Sequence, residues 1–224
     1  MPSMTKNVNA ANTRNEVWKL IDRDPSLKLD LERGLINVRA LARHCVSAGV
    51  AGTEDAVISA IRRYPADNKA NRKYRHALEI IGQSSMSSKS SIVSIALRKG
   101  SETQEILPKL FAWIDYERGE TLRIVQGEES IKLLIDEKNL QKMLARIPQK
   151  LIIKVQKNLA EINMHLHPDA VNTPGIIQVL TGELMRNDVN IFEIMSCVPE
   201  MLVFVDEGDS VRAYQVLFEL CHRK

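Results

Sequence analysis

The sequence predicts an α+β protein: a basic helical front followed by two successive strand–helix–strand–strand–helix–strand units. Three observations lead there. Residues 14–81 place apolar side chains at helical spacing between residues that cap helices. Ser84-Ser85-Met86-Ser87-Ser88-Lys89-Ser90-Ser91 interrupts that pattern with a polar run. Residues 92–224 then alternate strand and helix periodicity, and do so twice in the same order.

Length and composition bound the rest. A chain of 224 residues makes one or two domains and can bury a substantial core. With 44% hydrophobic and 26% charged residues it falls among ordinary globular proteins. No apolar run approaches the roughly 18 residues of a membrane-spanning helix, and residues 1–13 read as a disordered tail without a signal-peptide core. Cys45, Cys197 and Cys221 are widely spaced, as expected of free thiols in a reduced, cytoplasmic protein. Charge divides unevenly: residues 1–90 hold 15 Lys and Arg against 9 Asp and Glu, and the remainder 16 against 19. A basic front and a mildly acidic back suggest different tasks.

The front, residues 14–82, reads as a chain of short helices. Val17, Leu20 and Ile21 form one apolar stripe, which Asp24-Pro25-Ser26 ends while opening the next helix. Gly34 suits the position after a helix C-terminus. Asn37 caps a helix over residues 38–48 with Val38, Leu41, Ala42 and Cys45 inward. After the turn Gly49-Val50-Ala51-Gly52, Thr53 caps a helix over residues 54–64, and Pro65 stops it.

That helix pair with a Gly-bearing turn resembles a helix-turn-helix, although the turn is longer than in the compact form. Arg39, Arg43, Arg62 and Arg63 are its candidate DNA contacts, extended by the basic run Lys69, Arg72, Lys73 and Arg75 around Tyr74. Glu54 and Asp55 at the start of the second helix suit the helix dipole but repel phosphate. A small helical docking domain is the other reading.

Residues 83–91 are expected to be a linker, and residues 92–157 a first βαββαβ unit. Strands are expected at 92–97, 121–125, 130–135 and 150–155, with helices starting at Ser101 and Asn139. Residues 158–224 give a second unit. Its first strand, 159–166, sets Leu159, Glu161, Asn163 and His165 on one face against Ile162, Met164 and Leu166. Thr173 is the expected N-cap and Pro174 the first residue of a helix reaching about residue 187. Strands at 189–197 and 201–205 and a last helix capped by Ser210, with Val211, Tyr214, Leu217 and Leu220, complete it. The chain ends there, so the second unit lacks its fourth strand and a strand from elsewhere must cover that edge.

Thr173-Pro174-Gly175-Ile176-Ile177, then Asp188-Val189-Asn190-Ile191-Phe192-Glu193-Ile194-Met195-Ser196, with Glu200 a few residues beyond, resembles the ACT domain, particularly the second regulatory module of aspartate kinases. The match covers about a quarter of the chain and no kinase domain is visible. The resemblance implies two ferredoxin-like ACT modules side by side, the first degenerate, that dimerise and bind a small effector, often an amino acid. The implied effector site is Asn172, Thr173, Pro174, Gly175, Ile176, Val189, Asn190 and Ile191.

The chemistry fits such a ligand. A helix start offers unpaired N–H groups and the positive dipole end to a carboxylate, Gly175 permits close approach, and the Asn190 amide oxygen accepts from an ammonium. The plainer reading is that Pro174-Gly175 only shapes a loop and Asn190 only closes a turn.

Catalysis lacks a framework. His165 and His167 share a strand face near Asp169, but two imidazoles and one loop carboxylate make no metal site with a further ligand. There is neither a nucleophile elbow nor a phosphate-binding glycine spacing. The expectation is a non-enzyme without cofactor or metal: an amino-acid-sensing regulator of transcription, acting on DNA as a homodimer or higher homo-oligomer. The alternative is a DNA-free regulatory subunit that docks on an amino-acid biosynthetic enzyme.

Overall fold

A computed structural model describes residues 3–65 and 68–222, with side chains from Asn12 onward. The chain divides into two compact units, residues 1–76 and 77–224, the division falling within one helix. The expected tail is helical where described: α1 runs Ser3–Arg23 and is followed by α2 (Pro25–Glu32), α3 (Val38–Ser47), α4 (Glu54–Arg62) and α5 (Lys69–Ile81). Met1 and Pro2 lie outside the described residues. At the end of that tail Thr13 is 5% exposed, and its hydroxyl donates to Ala51 O at 2.7 Å.

The caps fall where the sequence places them. Asp24, Asn37 and Thr53 accept from the first backbone N–H groups of α2, α3 and α4. Val17, Ile21, Leu41, Ala42, Cys45, Val57 and Ile61 then close one core. Tyr64 and Trp18 meet edge to face at 6.0 Å, and Tyr64 Oη donates to Asp22. That bond and Lys28 hold the Asp22 carboxyl below its usual range. Glu32 accepts from Asn71 N at 3.0 Å, which caps the first turn of α5.

The second unit is built on one six-stranded sheet. Its elements are β1 (Ser85–Arg98), α6 (Ser101–Phe111), β2 (Leu122–Gln126), β3 (Ser130–Asp136), α7 (Leu140–Leu144), β4 (Ile152–His165), α8 (Ile176–Arg186), β5 (Ile191–Cys197), β6 (Glu200–Asp206) and α9 (Ser210–Cys221). The strand order is β2-β3-β1-β4-β6-β5, and all five pairings are antiparallel.

Two expectations are corrected here. The serine-rich segment is not a linker: it is the first half of β1, with Ser85 opposite His165 and Lys89 opposite Glu161. The expected strands at 150–155 and 159–166 are one strand, β4, broken only by Asn158 at φ 58°. Ser91 at φ 57° occupies the equivalent position in β1. Each long strand bends there. The second half of β1 (92–98) pairs with β3, and the second half of β4 (159–165) with β6. The first half of each strand covers the other's second half. The missing fourth strand of the second repeat is thus supplied by residues 85–89, and the two repeats share one sheet instead of forming separate modules.

Each face of the sheet is buried differently. Toward the helices, Val93, Ile95, Leu97, Leu133, Ile135, Leu110 and Met143 form the core of the first repeat. Ile162, Met164, Val203, Val205, Leu180, Leu184 and Leu217 are buried in the second. On the opposite face Ile92, Leu134, Leu159, Leu202 and Phe204 make a smaller core, with Phe192 and Met195 against it.

Ion pairs show how far that second face curls. Arg123 on β2 and Glu161 on β4 meet at 3.0 Å, although three strand steps would separate them by about 14 Å in a flat sheet. Lys132 on β3 and Glu193 on β5 also pair, across four steps, or about 19 Å flat. Lys89 adds a 2.7 Å pair with Asp136.

The Arg123–Glu161 pair and a further one, Glu120 with Lys138, make measurable contributions. Glu161 keeps only 5% side-chain exposure, so Arg123→Ala strands a buried carboxylate and should cost about 3 kcal/mol in urea unfolding. Glu120 is held down to about 2 by the Asp115 backbone N–H, Lys138 and Asn139. A carboxyl lowered in the fold stabilises above its unfolded value of 4.5 and loses that contribution as pH falls toward about 2. Glu120→Gln should therefore flatten the fall in melting temperature between those pH values.

Candidate functional site

The loop between β4 and α8 sets the site. His167-Pro168-Asp169 opens a short 3₁₀ turn, Pro168–Asn172. The Thr173 hydroxyl donates to Asp169 O at 2.8 Å, which closes that turn instead of capping α8. The N-cap is Gly175 at φ 99°, a left-handed conformation open to glycine, and Pro174 precedes the helix instead of starting it. Gly175 has no side chain to accept from the first N–H groups of α8, and no side-chain cap is made. Only the next turn is closed, by Val179 N donating to Gly175 O at 2.9 Å.

The start of α8 faces the hairpin between β5 and β6 across a cavity of about 380 Å³. Gly175, Ile176, Ile177 and Gln178 line one side. Ser196, Val198, Pro199, Glu200 and Met201 line the other, and Leu166, His167, Ala170 and Val171 form the floor and rim. Val171, Ile177 and Val198 are 58%, 56% and 59% exposed, so three large apolar side chains stand open to solvent around one opening.

The polar groups are few. The Asp169 backbone N–H donates to His167 Nδ1 at 3.3 Å. Glu200 Oε1 accepts from Asn163 Nδ2 at 2.8 Å, while Asn163 Oδ1 is buried without a partner. Burial opposes the charge on Arg123, but Glu161, with the fields of Glu200 and Cys197, outweighs it and raises the guanidinium pKa.

Of the sequence-predicted effector residues, Thr173, Gly175 and Ile176 line the cavity; Asn172 and Pro174 are in its loop. Val189, Asn190 and Ile191 do not line it. They sit at or just before the start of β5, and Ser196 near its far end is five to seven residues on, roughly 20 Å of strand. The hairpin residues 196–201 were missed as a group except for Ser196 and Glu200. The pairing of Cys197 with Glu200 is what returns them to the loop's end of the sheet.

The eight candidate DNA contacts are all exposed. Arg39 and Arg43 lie one turn apart on α3, Arg62 and Arg63 end α4, and Lys69, Arg72 and Lys73 share a face of α5 beside Arg75. Cys45 and Cys221 are buried and Cys197 is exposed; burial pushes the Cys221 thiol up to about 11. Among the described residues no group of three or more His, Cys, Asp or Glu is placed to hold a metal, and no helix is long and apolar enough to cross a membrane.

No family model and no curated protein matches the chain. Solved structures do. The chain is similar to Clostridium acetobutylicum aspartate kinase, at 19% identity and a TM-score of 0.49, over 60% of this chain and 34% of that one. It is also similar to the regulatory subunits of aspartate kinase from Thermus thermophilus (16% identity, TM-score 0.48, 61% of this chain and 97% of that one) and Thermus flavus (15%, 0.46, 60% and 95%). The chain thus spans about a third of the Clostridium enzyme's length. Its structural neighbours thus include regulatory domains and subunits of aspartate kinase.

Proposed function

We propose that this chain is a non-catalytic regulatory protein whose second repeat binds an α-amino acid in the cavity between α8 and the β5–β6 hairpin. The uncapped start of α8 carries this reading: its N–H groups and the positive end of the helix dipole open into a concave, mostly apolar space. The volume, about 380 Å³, falls in the range of small-molecule sites. The effector's carboxylate takes the helix start, and its ammonium faces Glu200, the single carboxylate among the lining residues. Asn190 meets such an effector only from a second copy, which fits a homodimer and edge strand β5.

The finer reading is regulation of transcription, with the exposed basic residues of α3, α4 and α5 on DNA and the effector biasing one packing of a dimer over another. The uniform exposure of all eight basic side chains favours it. Docking of the helical front on an amino-acid biosynthetic enzyme is the competing reading.

The effector is tested by thermal unfolding against the twenty amino acids. One that binds only the native state, at 100 times its dissociation constant, adds about 2.7 kcal/mol, or roughly 5 °C in a chain of this size. A flat panel removes the sensor reading. For the finer reading, Arg62→Ala with Arg63→Ala should weaken DNA binding and reduce the slope of log affinity against log salt by about 2. An unchanged slope with an intact fold favours the docking role.

A further inference from the structure

The cavity's lining also fixes the kind of side chain and the way round that the ligand sits. Its polar groups include three kinds of donor. The N–H groups at the start of α8 are uncapped, and Ser196 adds a hydroxyl from the hairpin. His167 adds a third kind. Its Nδ1 accepts from the Asp169 backbone N–H at 3.3 Å, so the neutral ring carries its proton on Nε2. The same Nδ1 lies 3.5 Å from Asp169 Oδ2, a contact suited to the protonated ring. Either state leaves Nε2 a donor. No Lys, Arg or Asp lines the cavity, and its one carboxylate, Glu200, is taken by the effector's ammonium in the reading above, which leaves no counter-charge for a side chain.

The remaining wall is apolar and open. Val171, Ile177 and Val198 are more than half exposed around the mouth, with Leu166 and Met201 buried beneath. A charged side chain placed there would give up water for aliphatic contact without a partner. An uncharged aliphatic chain would cover these groups and be stabilised by the apolar area it removes from water.

We infer that the site selects α-amino acids with uncharged aliphatic side chains, their carboxylate held by the start of α8 and His167 Nε2–H and their side chain laid on Val171, Ile177 and Val198. This rests on the effector reading above and narrows it. His167 is in this reading a carboxylate-binding residue, and side-chain selection falls to Val171, Ile177 and Val198; from sequence the histidine is weighed as a metal ligand and as a structural or effector-facing residue.

Calorimetric titration of the full chain with L-leucine, L-lysine, L-aspartate and L-leucinamide tests it. The expected result is binding of L-leucine at least tenfold tighter than the other three, since leucinamide lacks the carboxylate. His167→Ala should weaken L-leucine about tenfold. Val171→Asp, at a position exposed enough to leave the fold intact, should do the same. L-lysine or L-aspartate binding as tightly as L-leucine, or leucinamide binding equally well, overturns the inference while leaving an amino-acid site. Leucine affinity unchanged in Val171→Asp overturns the placement of the side chain. Absence of binding by L-leucine overturns the inference, and only a flat response in the twenty-amino-acid thermal panel as well removes the sensor reading itself.

Discussion

The pairing of β1 with β4 is the constraint on which the second unit depends. Each strand is 14 residues long, turns at a positive-φ residue, Ser91 or Asn158, and serves two repeats at once. Removing either strand would leave both repeats with an open sheet edge. The curl that brings Arg123 to Glu161 and Lys132 to Glu193 follows from the same bends, because those pairs join strands three and four places apart. The two repeats are consequently one folding unit with a common core on the face of Ile92, Leu159 and Phe204.

Within that shared frame the repeats differ where function would reside. In the first, only Lys99 and Gly100 separate β1 from α6. In the second, residues 166–175 separate β4 from α8, which gives room for a 3₁₀ turn, a left-handed Gly175 and a cavity. The difference is local, and it leaves the sheet register of the two halves alike. On the proposed reading the second repeat carries the recognition surface.

Much of this was legible in the sequence. Asp24, Asn37 and Thr53 act within one turn of the chain, so their side-chain chemistry alone locates three helices. The alternation in residues 159–165 gave the two faces of β4 correctly. The need for an outside strand at the second repeat's edge was also readable. Its source was not: serine has no apolar signal, and Ser85–Lys89 is held by backbone pairing to β4, with Met86 packed near Cys221. Thr173 was misread as a cap because the competing acceptor, Asp169 O, exists only once the 3₁₀ turn has formed. Asn190 was grouped with Gly175 by motif, yet a strand's length separates them in one chain.

The central claim is that the open start of α8 receives the effector's carboxylate, and amide chemical shifts read it directly. An ¹⁵N–¹H titration of the full chain with L-leucine should move the signals of Ile176, Ile177 and Gln178 most, with Ser196 and His167 following at the same midpoint. Saturable shifts centred elsewhere, or a titration that leaves those three amides unmoved, would contradict the account.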